Sequence, residues 1–228
     1  MNKKSLRDIW FYSNVCFFIN YSLAILRVFV AFPLPRLPSF FNCIFLLLAY
    51  TLTFQSIIAN FKAYDTLMFI KKIFSHPNTF CIVFFLCFVP NILLSPFYLL
   101  TIYHIVSSIV AKKDTFHSYF FYDFVVFLNT NIATIGRSAL FLEILLIPIA
   151  VSMVVLRRIS TVTLLIYLLM IRQQYISNNN MKAIVSECIQ RMHNLAMNMP
   201  DSIKMRYLEL MNYVRSLSKS EKNQKQKQ

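Results

Sequence analysis

The sequence predicts an all-α, polytopic helical membrane protein with proline-broken membrane hairpins, interfacial helices and a C-terminal amphipathic helical pair. Of its 228 residues, 57% are hydrophobic and 23 are phenylalanine, and the mean hydropathy is +0.57. A soluble domain of this length could not bury so much apolar surface. The apolar residues fall into four runs, at residues 9–32, 39–60, 78–111 and 138–171, which together define a predicted membrane region over residues 1–177.

The first two runs are each long enough to cross a bilayer, which takes about 20 apolar residues. Lys3, Lys4 and Arg7 precede the first run, and basic residues beside a span favour the cytosolic side. We therefore expect a retained signal-anchor whose N-terminus stays in the cytosol. The proline-rich segment 33–38 predicts a tight turn before the second run returns to the cytosol.

The third run, residues 78–111, is too long for one upright span and too short for two complete ones. Pro90 and Pro96 interrupt it and favour a bend. Lys112 and Lys113 close it, so both of its ends favour the cytosolic side. The pattern predicts a membrane hairpin that enters and leaves by the same face. The alternative is a single tilted or kinked span with an interfacial extension.

Two further stretches, residues 61–75 and 114–135, carry apolar residues at helical spacing beside charged or aromatic ones. This is typical of helices that lie on the membrane surface, although the second could also be an ordinary packed helix. The fourth run, 138–171, is interrupted by Arg157 and Arg158. It predicts either a second hairpin with the arginines at its tip or one span followed by an interfacial helix.

The character of the chain changes at residue 178. Residues 178–217 predict a cytosolic amphipathic helical hairpin, and residues 218–228 predict a disordered basic tail. Periodicity alone does not decide whether the hairpin docks on the membrane, on the bundle or on a partner. Its predicted membrane or partner face consists of Ile184, Val185, Cys188, Ile189, Met192, Leu195, Tyr207, Leu210, Met211 and Val214.

The sequence lacks the motifs of several kinds of binding and catalytic site. Gly136 is the single glycine, so phosphate-binding loops and dinucleotide fingerprints have no counterpart here. None of the five cysteines forms a CxxC pair, and the four histidines are scattered. We expect no enzyme, no cofactor and no metal site. The net charge of +14 gathers at span edges and in the tail, which favours anionic cytosolic lipid over nucleic acid as the partner.

Glu143 is the one acidic residue inside an apolar run, and it is the predicted intramembrane carboxylate. A carboxylate at such a position is costly and normally faces a partner or water. The sequence allows an ion pair with Arg137 near the start of the same run. It equally allows a position shallow enough for the carboxylate to remain hydrated.

The segment Glu143–Pro148, with sequence EILLIP, resembles a conserved block of the transmembrane protein 33 family, which includes fungal pore-membrane nucleoporins. Over residues 78–217 the order and spacing of the motifs are also similar. The family has an additional arginine where this chain has Leu168 and Leu169, and its connector between spans is less basic than Arg157 and Arg158. Four further positions resemble the family's aromatic-basic block: Tyr167, Arg172, Tyr175 and Ser177.

The resemblance implies residence in the endoplasmic reticulum and nuclear envelope. It implies a non-enzymatic part in nuclear pore complex assembly or distribution, and in shaping tubular reticulum alongside reticulon-type proteins. It also implies that the tail binds membrane and, as in fungal members, a nuclear transport receptor. The alternative function is a small-molecule carrier or an accessory subunit of a membrane channel, which would need polar groups along a path through the bilayer.

Overall fold

The computed structural model describes residues 3–29, 37–54, 66–209 and 211–212. Within those residues the chain is helical and contains no β-strand, which confirms the predicted all-α class. The chain divides into two compact units, Met1–Lys182 and Ala183–Gln228. The predicted turn at 33–38 and the basic tail at 218–228 lie partly or wholly outside the described residues.

The described helices follow one another with short connections. A 3₁₀ turn at Leu52–Phe54 continues α2, another at Asn91–Leu94 leads into α5, and residues 201–209 are helical after α10. The helices are α1 (Lys3–Phe29), α2 (Phe40–Thr51), α3 (Thr66–Ser75), α4 (Thr79–Leu86), α5 (Ser95–Ala111), α6 (Lys113–Phe116), α7 (Tyr122–Thr130), α8 (Ile132–Val155), α9 (Thr161–Ser177) and α10 (Asn179–Met197).

Three of the described helical segments are long and apolar enough to cross a membrane: Ser5–Phe29, Asn91–Ala111 and Ile132–Val155. Each exceeds the roughly 20 residues that a crossing helix needs. The segment Phe40–Phe54 is apolar but shorter. The helices thus support a multi-pass membrane protein by their length and composition.

Six helices of the first unit pack as a ring. Helix α1 contacts α2 and α5, α2 contacts α4, α4 contacts α9, α9 contacts α8, and α8 contacts α5. This succession of contacts closes on itself, so each helix of the ring packs between two others. Short connections favour antiparallel neighbours, and the ring alternates in direction.

Contacts between helix ends fix these directions. The Asp8 carboxylate near the start of α1 lies 3.5 Å from the Lys112 ammonium at the end of α5. Thr53, just after α2, accepts a hydrogen bond of 3.2 Å from the side-chain amide of Asn78, just before α4. We call this side of the ring, with Asp8, Thr53, Asn78 and Lys112, the Lys112 end.

The opposite side of the ring, which we call the asparagine end, is defined by Asn20, Asn42 and Asn91. There the start of α2 meets α1 and the 3₁₀ turn that precedes α5. Arg157 and Arg158 form the turn between α8 and α9, and Arg157 adopts a positive φ of 53°. Since α8 and α9 pack against each other, the run 138–171 folds as a helical pair with the arginines at its tip.

The proline-broken run 78–111 consists of one short and one long helix. Helix α4 has eight residues and is only about 12 Å long, which is too short to cross a bilayer. Phe88, with a φ of 47°, and Pro90, in the extended conformation, make the turn that follows. Pro96 lies in the first turn of α5, where its missing N–H costs no hydrogen bond. The two prolines therefore act differently: Pro90 turns the chain, and Pro96 begins the returning helix.

Aromatic side chains fill the middle of the helix ring. Phe84, Phe85 and Phe97 are completely buried. The rings of Phe85 and Phe97 meet edge to face, with centroids 4.8 Å apart, and Tyr50 packs edge to face on Phe85 at 5.2 Å. Buried aromatic residues contribute large apolar areas and a further gain from edge-to-face geometry. This cluster links α2, α4 and α5.

Replacing Gly136 with alanine is expected to stabilise the protein by about 0.5–1 kcal/mol, because glycine is the poorer helix former inside α8. An added Cβ would lie 3.7 Å from the Tyr103 ring, which is an ordinary van der Waals contact. The thermal midpoint of the protein in phospholipid nanodiscs measures the effect. The reverse change in the same helix, Ala133→Gly, should lower the midpoint, and a lower midpoint for Gly136→Ala would contradict the prediction.

Candidate functional site

The asparagine end is joined by a network of side-chain amides, of which those of Asn20 and Asn42 are buried and that of Asn91 is half-buried. The Asn20 amide nitrogen donates to the Asn42 side-chain oxygen at 2.8 Å, and the Asn42 nitrogen donates to the Asn91 oxygen at 3.0 Å. The Asn20 oxygen accepts the backbone N–H of Leu37 at 2.9 Å. Asn42 is completely buried and Asn20 nearly so. Because these buried groups satisfy one another, we assign the network a structural role.

Glu143 is completely buried and points toward α9. Its Oε1 accepts a hydrogen bond of 3.3 Å from the Gln174 side-chain amide. Its backbone carbonyl accepts a hydrogen bond of 2.7 Å from the Tyr167 hydroxyl, which is also completely buried. The predicted carboxylate therefore lies inside the helix ring, between α8 and α9.

This environment differs from both arrangements that the sequence allowed for Glu143. The carboxyl group is completely buried within the first unit, and its Oε1 accepts its hydrogen bond from Gln174 on another helix. The reason is helical geometry, since residues six apart do not share a helix face. The residues that do share the buried face of α8 are Ala139, Leu140, Glu143, Leu146 and Ala150.

Two oxygen atoms beside this contact have no hydrogen-bond partner within the described part of the chain: Oε2 of Glu143 and Oε1 of Gln174. Both can accept hydrogen bonds, and both are buried. The site thus contains two unused acceptors, one on the buried carboxyl group and one on the neighbouring amide.

A cavity of about 490 Å³ lies on the inner side of the helix ring, next to this site. All six helices of the ring or their flanking turns contribute to its wall. Ser177, the last residue of α9, and Asn179, the first of α10, are exposed and mark its mouth. None of the lining residues is a lysine, arginine, aspartate or glutamate. Six of the lining residues are Trp10, Asn14, Tyr50, Asn78, His104 and Gln174.

The mouth of the cavity is at the Lys112 end. Asn78, which helps to define that end, lines the cavity, and the Gln173 side chain donates to the Ser75 carbonyl at 2.9 Å. The volume is within the range of small-molecule pockets, and the mixture of aromatic, apolar and uncharged polar side chains is typical of them. Among the described residues, no group of histidine, cysteine or acidic side chains could hold a metal ion.

His76, close to this mouth and outside the long helices, is half-buried. Its Nδ1 accepts the backbone N–H of Asn78 at 3.2 Å, and its ring lies 4.3 Å from the ring of Phe54. Burial lowers the pKa of His76 below its usual value. The neutral imidazole is the form that caps the turn before α4.

The residues predicted for the membrane hairpin lie apart from Glu143. Pro90 is in the turn at the asparagine end, and Pro96 is buried at the start of α5. Lys112 forms the ion pair with Asp8 and lies 5.5 Å from the centre of the Phe11 ring. Lys113 is exposed. Only Glu143, among the predicted site residues of the first unit, belongs to the buried cluster beside the cavity.

The second unit holds most of the predicted tail face. Ile184 is buried, Val185, Cys188, Tyr207 and Met211 are half-buried, and Ile189, Met192 and Leu195 are exposed, whereas Leu210 and Val214 lie outside the described residues. The rings of His193 and Tyr207 lie 5.8 Å apart, so the two helical stretches touch each other. Burial, followed by the nearby Glu187 carboxylate, raises the pKa of the Cys188 thiol.

Comparison of the chain with models of known families, with curated proteins and with solved structures finds no match. The class that the fold and the site define is an all-helical bundle with three helices fit to cross a membrane. Its two notable sites are the asparagine network and the cavity beside Glu143.

Proposed function

We propose that this chain is a non-enzymatic, multi-pass membrane protein that shapes or stabilises curved membrane and supports nuclear pore complex assembly or distribution. The proposed location is the endoplasmic reticulum membrane and nuclear envelope. The location and the pore role rest on the resemblance described for residues 78–217. The shaping mechanism has independent support in the surface of the first unit.

Helix α3 carries most of the support for membrane shaping. It has no buried residue, and the side chains of Leu67 and Phe74 are 76% and 60% exposed. Lys71 lies between them in the sequence and is also exposed. A short helix with exposed apolar side chains and basic residues is suited to lie among lipid headgroups. The bond from Gln173 to the last residue of α3 keeps this helix at the Lys112 end.

The segment after Lys113 adds apolar surface on the same side of the ring. Phe120 is 97% exposed, and Phe124 and Phe127 are also exposed. Aromatic side chains favour the interface between lipid and water. Helix α3 and this aromatic segment together insert area into one leaflet, and unequal leaflet area favours curved membrane.

The positions of the basic residues suggest which side of the membrane the Lys112 end faces. Arg7, Lys71, Lys112 and Lys113 all belong to this side of the ring, and the rule for basic residues near spans favours the cytosol. In this orientation both runs 78–111 and 138–171 are membrane hairpins. The short helix α4 then enters from the cytosolic side and the longer α5 returns to it.

The proposed partners are the anionic cytosolic leaflet, reticulon-type or nuclear pore proteins and, through the tail, a nuclear transport receptor. Ile189, Met192 and Leu195 offer exposed apolar side chains in the second unit. Basic residues add roughly 1 kcal/mol each near anionic lipid. The protein partners follow from the resemblance.

Sorting between flat and curved membrane tests the shaping function. Full-length protein reconstituted into giant vesicles is expected to be enriched in a narrow tether pulled from the vesicle. The double substitution Leu67→Ser with Phe74→Ser should reduce the enrichment, because it removes the inserted side chains of α3. The control Leu67→Met with Phe74→Leu keeps them apolar and should sort normally. Equal density of the unsubstituted protein in tether and flat membrane would refute the shaping function.

A second candidate function is a small-molecule carrier or an accessory subunit of a channel. The observation that favours it is the cavity with its polar lining. Flux of a solute into vesicles reconstituted with the full chain would support this function. Tether enrichment without flux would favour membrane shaping.

A further inference from the structure

We propose that the cavity binds a small protonated organic amine, whose ammonium group donates to the Glu143 carboxylate and the Gln174 side-chain oxygen. This inference goes beyond membrane shaping and does not depend on it. It concerns the interior of the helix ring, whereas shaping depends on the outer surface of α3 and on the aromatic segment.

The first argument is that buried acceptor atoms of the site need hydrogen-bond donors. Glu143 is completely buried, and its Oε2 has no partner among the described residues, nor does the Oε1 of Gln174. A buried acceptor without a donor costs about 1–3 kcal/mol, and more if it is charged. An ammonium group brings several N–H donors and a positive charge. An alcohol brings one donor without charge, and a carboxylate anion brings repulsion.

The second argument is that the acceptors are next to the cavity. Gln174 lines the cavity and bonds directly to Glu143. Leu140, three residues before Glu143 on the same face of α8, lines it too. Tyr50 and Cys81 line it as well. Glu143 itself does not line the cavity, and Gln174 is the lining residue that bonds to its carboxyl group.

The third argument is the character of the lining. No lysine or arginine lines the cavity, so no cation of the lining competes for the Glu143 carboxyl group. Trp10 and Tyr50 supply aromatic rings, which attract ammonium groups. Leu100 and Leu140 supply apolar surface for a short hydrocarbon tail. With a volume of about 490 Å³, the cavity suits a small amine.

Trp10 makes this proposal directly measurable. It is the single tryptophan of the chain, and it lines the cavity, so its fluorescence reports on the site. The experiment titrates full-length protein in phosphatidylcholine nanodiscs with n-hexylamine, 1-hexanol or hexanoate at pH 7. These probes share one tail length and differ in the head group.

The expected result is a saturable change of Trp10 emission with n-hexylamine, at a half-saturating concentration about tenfold or more below that of 1-hexanol. Hexanoate should give no saturable change. Equal half-saturation by the amine and the alcohol would overturn the proposal, and so would tighter binding of hexanoate. This comparison needs no substitution.

The substitution Glu143→Gln tests the role of the carboxylate. It keeps the size of the side chain and should bring the half-saturating concentration of n-hexylamine close to that of 1-hexanol. The matched control Glu187→Gln changes an acidic residue of the second unit and should leave the preference for the amine intact. A Glu143→Gln protein that keeps the preference would overturn the proposal. If that variant does not fold, the three-probe comparison on the unsubstituted protein still decides.

Discussion

Replacing Asn42 with alanine is expected to lower the free energy of unfolding by about 2–6 kcal/mol. The change removes the acceptor of the Asn20 amide and the donor to the Asn91 oxygen. Each buried polar group left without a partner costs about 1–3 kcal/mol. The loss in the free energy of unfolding should lie near the upper limit of this range if the asparagine end lies in the bilayer, because no water can there replace the lost amide.

The shift of the thermal midpoint in nanodiscs measures this loss. For a chain of this length, 2 kcal/mol corresponds to a decrease of about 4–8 °C. The control Asn194→Ala changes an exposed asparagine in α10 and should leave the midpoint unchanged. The double variant Asn20→Ala with Asn42→Ala should lose less than the sum of the single losses, because the two residues share one hydrogen bond. Additive losses would contradict a coupled network.

The all-α class and the long helices could be predicted from the sequence because the bilayer sets both. A crossing helix must be apolar over a fixed length, so it is visible in the sequence as a continuous apolar run. Helix α8 is the clearest case, since it ends at Val155, two residues before the arginine pair that interrupts the run. Pro90 likewise lies at a real turn.

The two buried sites could not be predicted in the same way, because their partners are far apart in the sequence. The Asn20–Asn42 and Asn42–Asn91 bonds join residues 22 and 49 positions apart, and the Glu143–Gln174 bond joins residues 31 apart. The local hydrophobic periodicity of a sequence does not indicate such long-range pairs. One signal was nevertheless present: the spacing of Ala139, Leu140, Glu143 and Leu146 places the carboxylate on the buried face of α8. That spacing indicates a partner on another helix.

Replacing Tyr167 with alanine is expected to cost about 3–5 kcal/mol, the range for removing a buried aromatic side chain. Tyr167 is completely buried in α9. Its ring lies 5.2 Å from that of Phe84 in α4, and its hydroxyl donates to the Glu143 carbonyl in α8. One side chain thus holds three helices of the ring together, and its removal leaves a cavity where they meet.

The variant Tyr167→Phe separates packing from hydrogen bonding. It keeps the ring and loses only the bond to the Glu143 carbonyl, so it should cost about 1 kcal/mol. Thermal midpoints in nanodiscs measure both variants, and Tyr175→Ala, at a residue 43% exposed in the same helix, is the matched control. A loss for Tyr167→Phe as large as that for Tyr167→Ala would mean that the hydroxyl, rather than the ring, holds α9 in the ring of helices. A loss for Tyr175→Ala equal to that for Tyr167→Ala would contradict the position of Tyr167 in the core.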